Sequence, residues 1–274
     1  MSARTSKSPR SMDFFEAHPV FRHDEFIASR RALDGSRHTS NNVLAMHLAA
    51  GRLLRVRRGL YAVVPRGLDP KRAPVDPYLV ASHLTGDGVV AYHAALQFHG
   101  KSYSISRRYH FLTDRRSRPF RFRDLDFVPV LDTALAGTSN RERSGIAEHA
   151  HAGGRVRVTT LERTLVDALD APDRCGGWEE TWRSLELVEY FDLDAVIRHA
   201  LAKGSALTIA KIGFFLEQHR DALMVEDAHL RRLRCRAPAQ PRYVDVRRTP
   251  GKLVVGWNLV VPPALLKRDR EDLG

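Results

Sequence analysis

Cysteine is nearly absent: Cys175 and Cys235 are the chain's two thiols in 274 residues. Neither belongs to a Cys-x-x-Cys pair or lies at zinc spacing from histidines, so no structural zinc site and no redox motif is expected. Two free, reduced thiols fit a cytoplasmic protein. No run of about eighteen apolar residues occurs, so no transmembrane helix and no membrane partner is expected. The first residues, MSARTSKSPRSMDFF, carry charge without an apolar stretch and do not read as a secretory signal. They read as a short basic arm leading into a helix. Catalytic signatures are missing too. There is no G-x-x-x-x-G-K-[ST], no G-x-G-x-x-G, no G-x-S-x-G and no H-E-x-x-H. A two-metal nuclease would need clustered acids with a nearby lysine. The chain has no Glu-x-Lys, and its one Asp-x-Lys, Asp69 to Lys71, falls in a proline-rich stretch. The expectation is a protein that is not an enzyme, with no catalytic residue, no metal site and no cofactor.

What is present is positive charge, unevenly spread. The net charge is +12, with arginine far outnumbering lysine. Residues 1–75 hold 14 Lys/Arg against 6 Asp/Glu, residues 76–154 hold 10 against 8, and residues 155–274 hold 20 against 18. Two thirds of the excess therefore lies in about the first quarter of the chain. That asymmetry points to a basic N-terminal module for a polyanion in front of a nearly neutral body. An arginine-rich proteome is the plain alternative.

The apolar spacing organises that first quarter into helices and a hairpin. SMDFFEAHPVF starts with Ser11 as a cap, carries Asp13 and Glu16 early, and stops at Pro19. FRHDEFIASRRAL is a second helix with Phe21, Phe26, Ile27 and Leu33 on its apolar face. DGSRHT is a polar turn containing Gly35. TSNNVLAMHLAAG is a third helix, capped by Thr39 or Ser40, with Val43, Leu44 and Leu48 facing inward and Gly51 as its stop. LLRV and LYAVV follow as strands joined at RRG, with Gly59 supplying the positive φ of the turn. Leu53, Leu54, Val56, Leu60 and Val63 are the candidate anchors of this hairpin.

Helix, helix, short glycine-containing turn, helix and hairpin is the order of a winged helix-turn-helix. Small polar residues open the third helix: Ser40, Asn41 and Asn42. They reach base edges without bulk, and asparagine pairs bidentately with adenine. Arg37, His38 and Thr39 lead into that helix and join the candidate DNA contacts. Arg57 and Arg58 at the hairpin tip are placed for phosphates or a minor groove. Each has a plainer reading beside it: helix-start chemistry for residues 40–42, a solvated turn for the arginines, and packing for His47.

PRGLDPKRAPVDP, with four prolines, reads as a linker. The expected organisation is a winged helix-turn-helix over 11–66, a linker over 67–76 and an α+β body over 77–264. Asp76-Pro77 starts a helix as cap and first residue. GDG breaks it, and VVAYHAALQFHG is a further helix. RRYHFLT and FRFRDLDFVPVL read as strands with one wet face. GRVRVTTLERTLVDALDAP is a strand, a cap at Thr159 or Thr160, and a helix. Three more helices and the strands RYVDV and KLVVGWNLVVP complete a mixed α+β body. Glu162, Arg163 and Asp167 read as an internal ion-pair group. His93 and His99 read as packing and capping residues, and His149 and His151 as surface histidines in a loop. Arg115, Arg116, Arg118, Arg121 and Arg123 form a basic stripe that fits either nucleic acid or a solvated strand face.

Four stretches, GRLLRVRRGLYAVVP, GVVAYHAALQFHGKS, VRVTTLERTLVDALD and LTIAKIGFFLEQH, occur in an order that resembles AbiEi-type antitoxins. These are the antitoxin half of type IV abortive-infection toxin–antitoxin pairs, also described as predicted transcriptional regulators of viral defence. The resemblance runs from about Phe14 to Val261. It implies a winged helix that binds inverted repeats of double-stranded DNA in its own promoter and represses the operon. It also implies a body that counteracts a nucleotidyltransferase-like toxin without requiring a stable complex. Carried onto this chain, Ser40, Asn41, Asn42, Arg55, Arg57 and Arg58 would contact DNA. No toxin-neutralising residue is assigned by it. A stand-alone winged-helix regulator, whose body senses a ligand or partner, is the alternative.

Overall fold

The computed structural model describes residues 9–32, 36–133, 135, 145–245 and 248–266. It is a mixed α+β fold. The described residues hold ten α-helices and twelve strands, the strands in three sheets. Leu33 and Gly35 lie outside the described residues. The chain divides into two compact units. Unit 1 gathers Met1–Val90, Arg107–Gly137 and Glu148–Val158; unit 2 gathers Ala91–Ser106, Thr138–Ala147 and Thr159–Gly274.

Unit 1 begins with α1 (Pro9–Ala17), β1 (Val20–Arg22), α2 (His23–Arg31) and α3 (Arg37–Ala49), followed by β2 (Leu53–Arg57) and β3 (Leu60–Val63). The first sheet has the order β1-β3-β2. β1 corrects the sequence expectation. Phe21 was expected on a helix, yet Val20, Phe21 and Arg22 pair antiparallel with Ala62, Tyr61 and Leu60. Pro19 has no N–H, so it suits the extended chain just before a strand and blocks a continuous helix. Helix α1 starts at Pro9, which puts Ser11 inside it and buried, not at its cap. A cluster of Phe15, Phe21, Phe26, Leu44, Leu53 and Tyr61 forms the core of this region, with Phe14, Val43, Leu48 and Val63 packed on it. Rings at this spacing attract beyond their area burial, by about 0.5–1.5 kcal/mol per pair. Phe15 stacks on Phe21 and Phe26 with centroids 5.6 and 5.7 Å apart. Of the expected hairpin anchors, Leu53, Val56 and Leu60 are buried, and Leu54 and Val63 are half-buried. Gly59 turns the hairpin at φ +80° with no atom within 4 Å of where a Cβ would stand.

The stretch read as a linker is folded onto unit 1. Ala73 is fully buried, and its N–H donates to Asp69 O at 2.8 Å. Arg123 Nη1 donates to Ala73 O at 2.7 Å and Nη2 to Pro70 O at 3.2 Å. Prolines here stiffen a packed turn. The expected boundaries at 66 and 77 therefore do not coincide with the compact units.

Next come α4 (Pro77–His83) and a six-stranded mixed sheet of order β6-β7-β5-β4-β9-β8. Its strands are β4 (Val89–Val90), β5 (Arg108–Thr113), β6 (Phe120–Phe122), β7 (Leu125–Leu131), β8 (Ile146–His151) and β9 (Gly154–Thr159). β5 runs parallel to β7, and Val90 pairs in parallel with Val158. Asp76 caps α4, its Oδ1 accepting from Leu79 N–H at 2.9 Å, as expected. Two readings change. Val89 and Val90 are a strand, not a helix start, and His149 and His151 lie on β8, not in a loop.

Unit 2 holds α5 (His93–Phe98), α6 (Leu161–Asp170), α7 (Trp178–Glu186), α8 (Leu193–Lys203), α9 (Ala206–Gln218) and α10 (Asp227–Arg234). It also holds the third sheet, β10 (Arg242–Tyr243), β12 (Leu259–Val261) and β11 (Lys252–Val254), in that spatial order. Thr160 caps α6. Trp257, fully buried, lies against Gly213 in α9, and its Nε1 donates to Glu217 Oε2 at 2.6 Å. No helix among the described residues is long and apolar enough to cross a membrane.

Candidate nucleic-acid interface

Helix α3 begins three residues earlier than its sequence suggests. Ser36, not Thr39 or Ser40, is its cap: Thr39 N–H donates to Ser36 Oγ at 3.1 Å. The earlier start moves the residues that follow around the helix axis. Ser40 is fully buried and its hydroxyl donates to Ser36 O at 2.9 Å, so it is withdrawn from the contact set. Thr39 Oγ1 lies 2.8 Å from Ser36 Oγ, within the cap. Arg37, His38, Asn41 and Asn42 are exposed. Positions 38, 41, 42 and 45 share one helix face by the i, i+3, i+4, i+7 rule. Asn42 Nδ2 and His38 Nε2 are 3.3 Å apart, and Asn41 Oδ1 lies 2.8 Å from His23 Nε2 at the start of α2. The opposite face carries Leu44 and His47, both buried. His47 packs edge-on to Phe15, ring centroids 4.9 Å apart, so the packing reading holds for it. Burial, with a smaller contribution from the Arg52 charge, lowers its pKa and favours the neutral ring.

The hairpin arginines separate into two kinds. Arg55 and Arg58 are exposed, and Arg55 Cζ stands 5.9 Å from the Tyr61 ring centroid. Arg57 is half-buried. Its Nη2 donates to Leu84 O, and its Cζ lies 5.8 Å from the Phe120 ring centroid. Burial first, then the neighbouring Arg22 charge, lowers its pKa. Arg57 is thus anchored within unit 1 and not a free tip residue, although it adjoins Arg58. The bulge between Arg55 and Arg57 explains the split, since an extra residue in one strand re-aims the side chains after it. Sequence alternation alone carries no signal for a bulge.

The stripe from 115 to 123 also divides. Arg115, Arg116 and Arg118 are exposed. Arg121 Nε donates to Arg123 O at 3.3 Å, and Arg123 holds the 70–73 turn. In unit 2 the Arg163–Asp167 pair forms as expected, Nε to Oδ2 at 3.2 Å, with Asp167 buried. Sequence reasoning missed Lys203, whose Nζ lies 3.0 Å from Asp167 Oδ1 and 2.9 Å from Asp170 Oδ2. Burial opposes its charge, but the two carboxylates outweigh that and raise its pKa. Its partners are more than thirty positions away, beyond any local pattern. His93 is buried with Nε2 3.0 Å from Glu180 Oε1, and His99 Nε2 lies 2.8 Å from Thr159 O. His151 Nε2 lies 2.8 Å from Asp76 Oδ2. Among the described residues no group of three or more His, Cys, Asp or Glu side chains is placed to hold a metal ion. Cys175 is buried and Cys235 exposed, both unbridged.

The fold is similar to that of a solved structure, the crystal structure of the RV2827C protein from Mycobacterium tuberculosis. That likeness covers 95% of this chain and 93% of that one, at a TM-score of 0.59 and 15% identity. At that identity it speaks to the fold. No family model matches the sequence, and no curated protein does.

Proposed function

We propose that this protein is a winged helix-turn-helix DNA-binding regulator of the cytoplasm, with α3 as the recognition helix and the β2–β3 hairpin as the wing. The observation that carries the reading is the polar row of Arg37, His38, Asn41 and Asn42 on the exposed face of α3, beside exposed Arg55 and Arg58. A helix of this kind offers asparagine amides to base edges while arginines grip phosphates. The aromatic core under α3 gives that face a rigid support. The excess of arginine over acid in the first quarter of the chain supplies the long-range attraction. Together with the four AbiEi-like stretches, this supports a narrower reading: an antitoxin that represses its own operon at inverted repeats and counteracts a nucleotidyltransferase-like toxin.

The test is binding to the duplex upstream of its own gene, followed by fluorescence anisotropy across salt. Affinity is expected to fall steeply with salt, and Asn41→Ala with Asn42→Ala is expected to lower the preference for that sequence over random duplex. Binding indifferent to salt, or a double variant with unchanged preference, overturns the reading. Co-expression with the neighbouring gene tests the antitoxin part: rescue of growth supports it, and persistent growth arrest rejects it.

A further inference from the structure

A cleft of about 450 Å³ opens within unit 1, between the β2–β3 turn, the end of α4 and the loop after β5. Arg22, Arg57, Arg58, Arg115 and Arg116 line it, against one carboxylate, Asp24. Two of the five arginines are already engaged. Arg22 Nε donates to Asp24 Oδ1 at 2.9 Å, and Arg57 holds Leu84 O. Among the described residues the Arg115 guanidinium has only a long contact, to Asp114 Oδ1 at 3.7 Å. Arg58 and Arg116 have no hydrogen-bond or ion-pair partner among the described residues. Gathering like charges around a recess costs energy unless an anion joins them, because the low-dielectric walls strengthen the repulsion. The volume is that of a small-molecule site. The lining suits one chemistry: guanidinium forks match phosphoryl oxygens two at a time. One phosphoryl group engages one or two forks. Three uncommitted forks on two separate loops fit a chain of phosphoryl groups. The floor is anchored, since Arg57 is held by Leu84 O and Phe120, so the recess exists before a ligand arrives.

The geometry points to this cleft as a binding site for a small anion with two or three linked phosphoryl groups, either free pyrophosphate or the phosphate tail of a nucleotide. Arg58, Arg115 and Arg116 are its main ligands, with Arg57 beneath. The site stands apart from duplex binding by α3, although Arg58 belongs to both surfaces. A ligand here therefore competes with DNA phosphates for that one residue.

Isothermal titration calorimetry of the full chain at constant ionic strength tests this with sodium pyrophosphate, ATP, orthophosphate and sulfate. Pyrophosphate or ATP is expected to bind at least tenfold tighter than orthophosphate or sulfate. Arg115→Ala with Arg116→Ala is expected to weaken that binding tenfold or more, and so is Arg58→Ala. Arg231→Ala, an exposed residue of α10 in unit 2, leaves it unchanged. Arg58, Arg115 and Arg116 are exposed, so circular dichroism melts of these variants should match the wild type. ATP tighter than pyrophosphate supports the nucleotide source, and the reverse order the free anion. No saturable binding, sulfate as tight as pyrophosphate, or unchanged affinity in the variants overturns the proposal. So does loss of duplex affinity in the Arg115/Arg116 variant of a protein that never binds pyrophosphate, because the cleft is then a strip of the DNA surface.

Discussion

Arg57 and Arg58 are neighbours in different surroundings, one half-buried and one exposed, and two alanine variants separate them. Arg58 is exposed and has no hydrogen-bond or ion-pair partner among the described residues. Its loss should leave stability within about 0.5 kcal/mol of wild type, as for surface substitutions generally. If it grips one phosphate, its removal flattens the slope of log affinity against log salt by about 0.9. Between about 50 and 200 mM salt, the fall in affinity then shrinks by a factor of about 3.5. Arg57 behaves otherwise. Its guanidinium holds Leu84 O and lies over Phe120. A hydrogen bond from a charged group contributes about 1.5–3 kcal/mol and an exposed cation–π contact about 0.5–1. Half-exposure discounts both, so Arg57→Ala should cost about 1–3 kcal/mol of stability. The assays are thermal melts and anisotropy titrations on the same duplex across that salt range. Arg57→Ala with an unchanged melt and a larger loss of salt slope than Arg58→Ala would refute the assignment.

Gly213→Ala offers a test of sign. Helix propensity favours alanine over glycine by about 1 kcal/mol in a helix interior. A Cβ at 213, however, stands 2.6 Å from Trp257 Cζ2 and closer still to Cη2 and Cζ3. Trp257 is buried and held by Glu217, so an overpacking cost of about 1–3 kcal/mol or more should outweigh the propensity gain and lower the melting temperature; a rise contradicts the packing. His47 makes a pH prediction. Its pKa is lowered in the folded state, so below about 6.5 the unfolded chain takes up the proton more readily, and stability is lost as pH falls through that value. Melting profiles from pH 7.5 to 5.5 should be flatter for His47→Leu than for wild type, and parallel profiles would reject the role. Asp87 acts at lower pH. Burial alone would raise its pKa, but hydrogen bonds from Asp114 N–H and Thr113 Oγ1 bring it down to about 2. Its contribution is present above the ordinary carboxylate pKa and is lost as pH falls toward about 2. Asp87→Asn should therefore remove part of the acid-induced loss of stability below pH 4, and an unchanged acid transition would count against it.

Most elements were legible in the chain because their signals are local. Asp76-Pro77 and Thr160 cap helices where their side chains reach back to the next turn, and Gly59 turns the hairpin where a positive φ is needed. What was missed depends on distant pairing. Val20–Arg22 is too short and too close to helix-like residues to read as a strand until β3 lies beside it. Val89-Val90 is a strand only because β5 and β9 flank it. The candidate interface was half visible. The asparagines and exposed arginines lie where composition suggested, but the Ser36 cap turned Ser40 inward and a bulge drew Arg57 into the fold. Lys203 joined Asp167 and Asp170 across an interval that no motif spans.

The interleaving of the two units also sets a timetable for synthesis. Val90 must wait for Val158, its parallel partner 68 positions later, before the central sheet closes. At about 5–20 residues per second that interval lasts roughly 3–14 s on the ribosome. The α1–β3 region, whose aromatic core is complete by Val63, can collapse well before that. A nascent chain should therefore present a formed N-terminal region while the sheet beside it still lacks β8 and β9, an exposed-edge stage at which a chaperone has most to offer.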